Sequence, residues 1–546
     1  MPATQDMLVR DFRQALLWPL QLVPQRELGP ARPWEHLPAD GPWHEVADEF
    51  DPATPLEERH YSEFVTFLPY VQRFLYGEAR RGGSDDDDGQ SVRRGSPMRV
   101  FRRRDITAAR AVVQPGTPAL QLEVEHVDLY FFYDLDLVLL NVEVSGKDIP
   151  LALVQELMYR LGRGYPGAWD ADGRAQHCLF DLEWLAADGR VLARSDAQQR
   201  EPFLAFVARH RAPLIAAHWA FVLEPLVPEL SPDAGALRYR QIEYHRMPTM
   251  AYLALDDPRR LSRADFVRLG LVTGAGRDHA TPYAEDPLRD FEQRHCYDRF
   301  WSDAGAAPHT RYMGNGHALV VVGDAQREFF RCAERGVLAQ FRHQHFLLFL
   351  IAHVQKAALL MFSDRLVDAL ERLDVGDADS VKRFKRTIRR SFESFLRFTH
   401  RYWFHEISEQ AQVRALFRLT ARHLELDALY AEVKDRTADM NTYLDADSLR
   451  RQANTVVRLT VVTIFGLIGT ITTGFLGINL IAEAEQPLLR RLLIFGAVAV
   501  ATIALTVFTV VRSKRLSDFL DALSDERLPA WRKAASLLAV FSRDRR

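Results

Sequence analysis

Apolar and polar positions follow three different rhythms along this chain. Between residues 120 and 144, alternating and aromatic-rich runs flank Asp134-Leu135-Asp136. That pattern predicts two strands joined by a tight turn, and a helix is expected next over 150–161. A strand, strand, helix pattern recurs over 239–269, and Asn315-Gly316 before an apolar run predicts a further hairpin. After Asp324 the spacing becomes helical. The run at 346–352 is strongly apolar, but Arg342, His343 and His345 precede it and His353, Gln355 and Lys356 follow it. It is too short to span a bilayer and predicts a buried core helix. Residues 373–384 predict a helix-to-helix turn.

From Leu416 a three-four spacing continues through Leu419, His423, Leu426, Tyr430, Val433, Thr437, Met440, Leu444, Asp447 and Arg451 to Asn454. This is a seam of about five heptads, the mark of a long stalk helix. Its last part turns polar, as a seam around water would. Two uncharged runs follow. Residues 459–482 carry no charge, and neither do 492–511, with only 483–491 between them. About 20 apolar residues suffice to cross the hydrocarbon of a bilayer, so the pair predicts a two-helix membrane hairpin.

The resulting division is an N-terminal extension over 1–97, an α/β cytoplasmic domain over 98–325, and a helical region with the stalk over 326–458. Transmembrane helix 1 occupies 459–482, an external loop 483–491, transmembrane helix 2 492–511, and a basic cytoplasmic tail 512–546. Within the extension, residues 1–78 read as short helical patterns broken by prolines, and 80–97 as a polar, glycine-rich mobile loop. Its four aspartates, 85–88, read as a solvated run rather than a cation site.

Charge and composition narrow the picture. The 546 residues carry a formal charge of −3, so no basic field points to nucleic acid. Cys178, Cys296 and Cys332 are far apart and match no zinc or redox spacing, which fits a reducing compartment. Residues 1–27 mix charges into their apolar run and predict no secretory signal. Arg450, Arg451 and Arg458 before the first span, and Arg512, Lys514, Arg515 and Arg527 after the second, outweigh Arg490 and Arg491 in the loop. Both termini are therefore expected in the cytoplasm, with Glu483 and Glu485 at the outer mouth.

Enzyme chemistry finds little support. His405-Glu406 begins a zincin-like helix but lacks its second histidine; His400, His405 and Glu409 on one helix face read as ordinary helix residues. Gly274-Ala275-Gly276 lacks the strand and third glycine of a dinucleotide loop. No catalytic residue and no cofactor are expected. The first span is richer. Stepping back from Asn479, one helical face carries Gly474, Thr470, Leu467, Thr463 and Leu459. Polar and small positions alternating with apolar rings suit a pore wall. Glycines with small neighbours, Gly466, Gly469 and Gly474, equally suit close helix packing. Two helices enclose no channel, so a pore requires several copies. In the tail, Leu528, Trp531, Leu538 and Phe541 form an apolar face suited to the inner membrane surface or to the stalk.

Residues 460–479, TVVTIFGLIGTITTGFLGIN, resemble the first transmembrane helix of the CorA-type divalent-cation transporters. Thr460, Thr470, Gly474, Gly477 and Asn479 fall on that family's positions, and Leu459-Thr460 on its leucine-threonine pair. Ile478 stands in place of the hallmark methionine and Leu476 in place of its tyrosine, an aliphatic pattern similar to the zinc-transporting ZntB branch. Ile468 replaces a proline, and the loop offers Glu483, Glu485 and Pro487 instead of Met-Pro-Glu. The resemblance covers about the last 130 residues.

It implies a funnel-shaped homopentamer in the inner membrane, with Gly477, Ile478 and Asn479 as a looped outer filter around a hydrated divalent cation. Leu459, Thr463, Leu467, Thr470 and Gly474 would line the pore. The cargo would be Mg²⁺ or a transition divalent such as Zn²⁺, Co²⁺ or Ni²⁺, which is also a possible regulatory ligand at sites the sequence does not name. Asp447 would gather cations at the inner end or simply face water on the stalk. The alternative is a membrane-anchored cytoplasmic sensor or scaffold that keeps the hairpin and transports nothing.

Overall fold

The computed structural model describes residues 7–23, 32–46, 58–77, 96–276 apart from 234 and 244, 283–374, 377–482 and 487–524; within 443–524 side chains are described in part. The chain divides into two compact units, Met1–Thr437 and Ala438–Arg546.

The first unit is built on one large mixed sheet. From one edge its strands run Val191–Arg194, Asp181–Leu185, Ala108–Val112, Leu120–Phe132, Leu137–Pro150, Leu8–Val23, Thr249–Leu255, Ala318–Asp324, Thr310–Gly314 and Cys296–Phe300. Along this path every neighbouring pair is antiparallel except Thr249–Leu255 with Ala318–Asp324. Helices cover both faces. Because side chains alternate along a strand, Val138, Leu140, Val142 and Val144 enter one core with Leu157, Trp219 and Phe266. Leu137 and Leu139 enter the other with Phe74, Phe349 and Phe398. The architecture is a three-layer α/β domain.

The strand pair around residues 134–136, the helix Leu151–Arg160 and the hairpin at Asn315 lie where the pattern places them. Leu8–Val23 does not. In place of short helical patterns it forms a central strand, paired with Leu137–Pro150 through Leu16↔Val142 and with Thr249–Leu255 through Leu16↔Thr249. The N-terminal segment is thus integral to the sheet. Proline inside a central strand ordinarily removes a ladder hydrogen bond. Here the register with Thr249–Leu255 ends at Leu16 and that with Arg238–Gln241 begins at Leu20. Leu17 N–H donates toward this side, to Pro248 O at 2.9 Å. Pro19, two residues on, faces the same side in the gap between partners, where no donor is required.

The apolar run at 346–352 opens the helix Phe346–Glu371, in which Leu348, Phe349, Leu350, Ile351 and Ala352 are all buried. The expected turn separates it from Ala378–Arg401. The seam expected from Leu416 onward is divided. Ala411–His423 ends, Glu425 takes a left-handed φ of 53°, and Leu426–Ala482 starts afresh. On either side of the break the predicted face holds, with Leu416, Leu426, Val433 and Thr437 buried.

Candidate functional site

Two helices long and apolar enough to cross a membrane occur among the described residues, within Val337–Glu371 and over Leu488–Leu505. The first is the core helix of the folded unit. The second belongs to Leu488–Ser524, which also carries the start of the expected tail. The run at 459–482 is helical throughout as the end of Leu426–Ala482, and Thr455–Leu467 stands out as a shorter apolar segment.

Within the second unit, the two faces of the helix ending at Ala482 differ. Val461 is 2% exposed, and a Cβ on Gly469 would come within 2.8 Å of Thr502 Cγ2. That side packs on the following helix. Successive residues turn by about 100°, so positions 459, 463, 467, 470 and 474 share one arc on the other side. Leu459 is 68% exposed and Leu467 60%. A Cβ added to Gly474 or Gly477 would meet nothing within 4 Å. Gly469 therefore lies on the packed face and Gly474 on the exposed one, with positions 459, 463, 467 and 470.

The threonine hydroxyls are satisfied within the helix. Thr463 donates to Leu459 O at 2.8 Å, Thr470 to Gly466 O at 2.9 Å and Thr460 to Val456 O at 2.9 Å. Such back-bonds let hydroxyls sit in an apolar medium without stranded protons.

The stretch expected to form a looped filter differs in backbone: residues 477–479 are helical, continuous with Leu426–Ala482. The side chains of Ile478, Asn479, Asp447 and Asn454, all of Glu483 and Glu485, the aspartates 85–88 and the tail beyond 524 lie outside the described residues. His405 and Glu409 sit between helices, after Arg401 and before Ala411, so they share no helix face with His400. Among the described residues no group of three His, Cys, Asp or Glu is placed to hold a metal ion. The three cysteines are free thiols.

One cluster was missed in the sequence. A cavity of about 650 Å³ in the first unit is lined by Arg99, Arg102, His126, Asp128, Asn141, Glu143 and Arg342 among others. Arg102 grips Asp128 through two bonds of 2.7 and 3.1 Å. Arg342 reaches Glu143 at 3.4 Å and His126 Nε2 at 3.1 Å. Burial raises the carboxyls of Asp128 and Glu143 above their usual range, against the pull of these arginines. Burial, with Arg102 and Arg342, pushes His126 down to about 3, so it stays neutral. The available signal was polar residues inside apolar strands: Asp128, Asn141 and Glu143 interrupt runs that otherwise read as wholly buried.

No protein-family model, curated protein or solved structure matches the chain.

Proposed function

We propose that this protein is a homo-oligomeric, channel-like transporter of divalent metal cations, built as a pentamer around the helix that ends at Ala482. Both termini lie in the cytoplasm of a cell whose inner membrane holds the hairpin. The observation that carries this reading is the separation of faces. The helix packs on its neighbour through Gly469 and leaves Leu459, Thr463, Leu467, Thr470 and Gly474 outward. In a ring of copies that face becomes the wall of a pore.

The physics of the passage follows from a small divalent ion's reluctance to shed water. Glu483 and Glu485 concentrate cations at the outer mouth. Asn479 meets the ion's first water shell with the neutral dipole of its amide. Leu467 and Leu459 form narrow apolar rings that close by dewetting, with Thr463 supplying oxygens between them and Thr470 beyond Leu467 on the side of Asn479. Mg²⁺ and the transition divalents Zn²⁺, Co²⁺ and Ni²⁺ are the cargo class.

Purified protein in liposomes loaded with an ion-sensitive dye tests this. Flux of at least one of Mg²⁺, Zn²⁺ or Co²⁺ above empty liposomes is expected, lowered by Asn479→Ala. Absence of flux for all three overturns the transporter reading. The membrane-anchored sensor then takes its place, favoured by the charged cavity in the first unit. Native mass measurement in detergent supplies a second check, since a monomer or dimer is incompatible with the pore.

A further inference from the structure

The cavity in the first unit has a polarity that its residue inventory conceals. By count, its acids and bases nearly balance. By exposure they do not: the side chain of Arg102 is 35% exposed against 2% for its partner Asp128, and that of Arg342 21% against 8% for Glu143. In these two pairs the carboxylate sits behind the guanidinium and the cation faces the space, whereas in the pair Arg99–Glu45 the acid is the more exposed partner. On another side His343 bonds Glu63 at 3.1 Å, and Tyr76 donates to the same carboxylate at 2.7 Å. Glu63 is itself only 8% exposed, so there too the acid is withdrawn.

Two polar atoms on the wall lack a partner among the described residues. Asn141 is 3% exposed and its Oδ1 accepts from nothing; Nδ1 of His126 is likewise unengaged. Buried polar atoms are nearly always bonded, so an orphan acceptor lining a cavity marks the place of a donor from outside the protein. The remaining wall is apolar and aromatic, with Tyr130 and Phe346 at a ring separation of 6.1 Å, beside Met98 and Leu347. The volume falls in the range of sites for small organic ligands.

We propose that this cavity binds a small organic anion carrying a flat ring and N–H donors, of the mononucleotide type. Its anionic group lies across Arg102 and Arg342, its ring against Tyr130 and Phe346, and a donor on Asn141 Oδ1. Guanidiniums whose planar forks already hold carboxylates are also the groups that take phosphate in bidentate fashion. The inference concerns binding alone and stands whether or not the hairpin conducts ions.

The test uses the full chain in detergent, titrated calorimetrically with ATP, AMP, adenosine and inorganic phosphate. ATP or AMP is expected to bind, with adenosine and phosphate each weaker. Arg342→Gln should weaken nucleotide binding by about tenfold or more, the scale of a lost charged hydrogen bond. Leu347→Trp, which fills the cavity and removes no charge, should abolish it. Unchanged circular dichroism and melting in both variants separate loss of the site from loss of the fold. No heat with either nucleotide overturns the proposal. So does inorganic phosphate binding as tightly as ATP, or nucleotide binding undiminished in both variants.

Discussion

The helices within Val337–Glu371 and over Leu488–Leu505 are near equals in apolar character, yet 72% of the most apolar stretch of the first is buried inside the chain and none of the second. The first lies between the sheet and the helices Ala378–Arg401 and Ala411–His423, which supply apolar partners on every side. The second shows Leu492, Leu493, Phe495, Val500 and Ile503 more than half exposed. A soluble monomer rarely displays so continuous an apolar surface. Hydropathy measures what a segment avoids, whereas the company it keeps decides whether protein or lipid meets the demand.

The comparison breaks first at its centre. Leu350→Ala should cost the first unit about 2–5 kcal/mol in denaturant unfolding, as truncation of a fully buried leucine does. Val500→Ala should leave that transition within about 0.5 kcal/mol. A similar loss from both would mean that the second helix is also folded into protein.

A smaller effect is expected within the hairpin. Gly469→Val meets Thr502 and should destabilise the helix pair by about 1–3 kcal/mol, the scale of an overpacked contact. Gly474→Val meets nothing in the single chain, so its effect should appear in flux and not in melting of the detergent-solubilised protein. Thermal unfolding of both variants beside the liposome assay separates the faces; equal loss of melting temperature would join them again.

An effect of a different kind concerns acid. Burial pushes His218 and His345, and burial with two arginines His126, down to about 3, against about 6.5 in an unfolded chain. Between those values the unfolded state binds protons that the folded state does not. Their contribution is complete above about pH 6.5 and is lost as pH falls toward about 3, at up to ~1.4 kcal/mol per pH unit for each histidine. Asp128 and Glu143, raised by burial, act in the opposite sense. Denaturation midpoints across this range should fall with acid, and His218→Asn should flatten the slope.

Much of the sheet was readable because alternation survives where a hairpin turn fixes it, as around residues 134–136. Leu8–Val23 was unreadable for the opposite reason. A strand covered on both faces has no polar side, and its opening charges, Arg10, Asp11 and Arg13, with Pro19 resemble a broken helix. The break at Glu425 was also hidden, since the apolar spacing continues across it while one backbone angle changes sign. In the hairpin, the sequence offered packing and pore as rival uses of the same glycines; the structure assigns Gly469 and Gly474 to separate faces. The cavity required tertiary information, because Arg342 comes more than 200 positions after His126, which it contacts.

The inward bonds of Thr463 and Thr470 have one further consequence. A hydroxyl has a single proton, and here it is already committed to a carbonyl one turn back. What remains outward is a pair of oxygen lone pairs, a surface that only accepts. A neighbouring helix whose own N–H groups are engaged has nothing to give it. Water can donate to it, and a metal ion can accept its lone pairs.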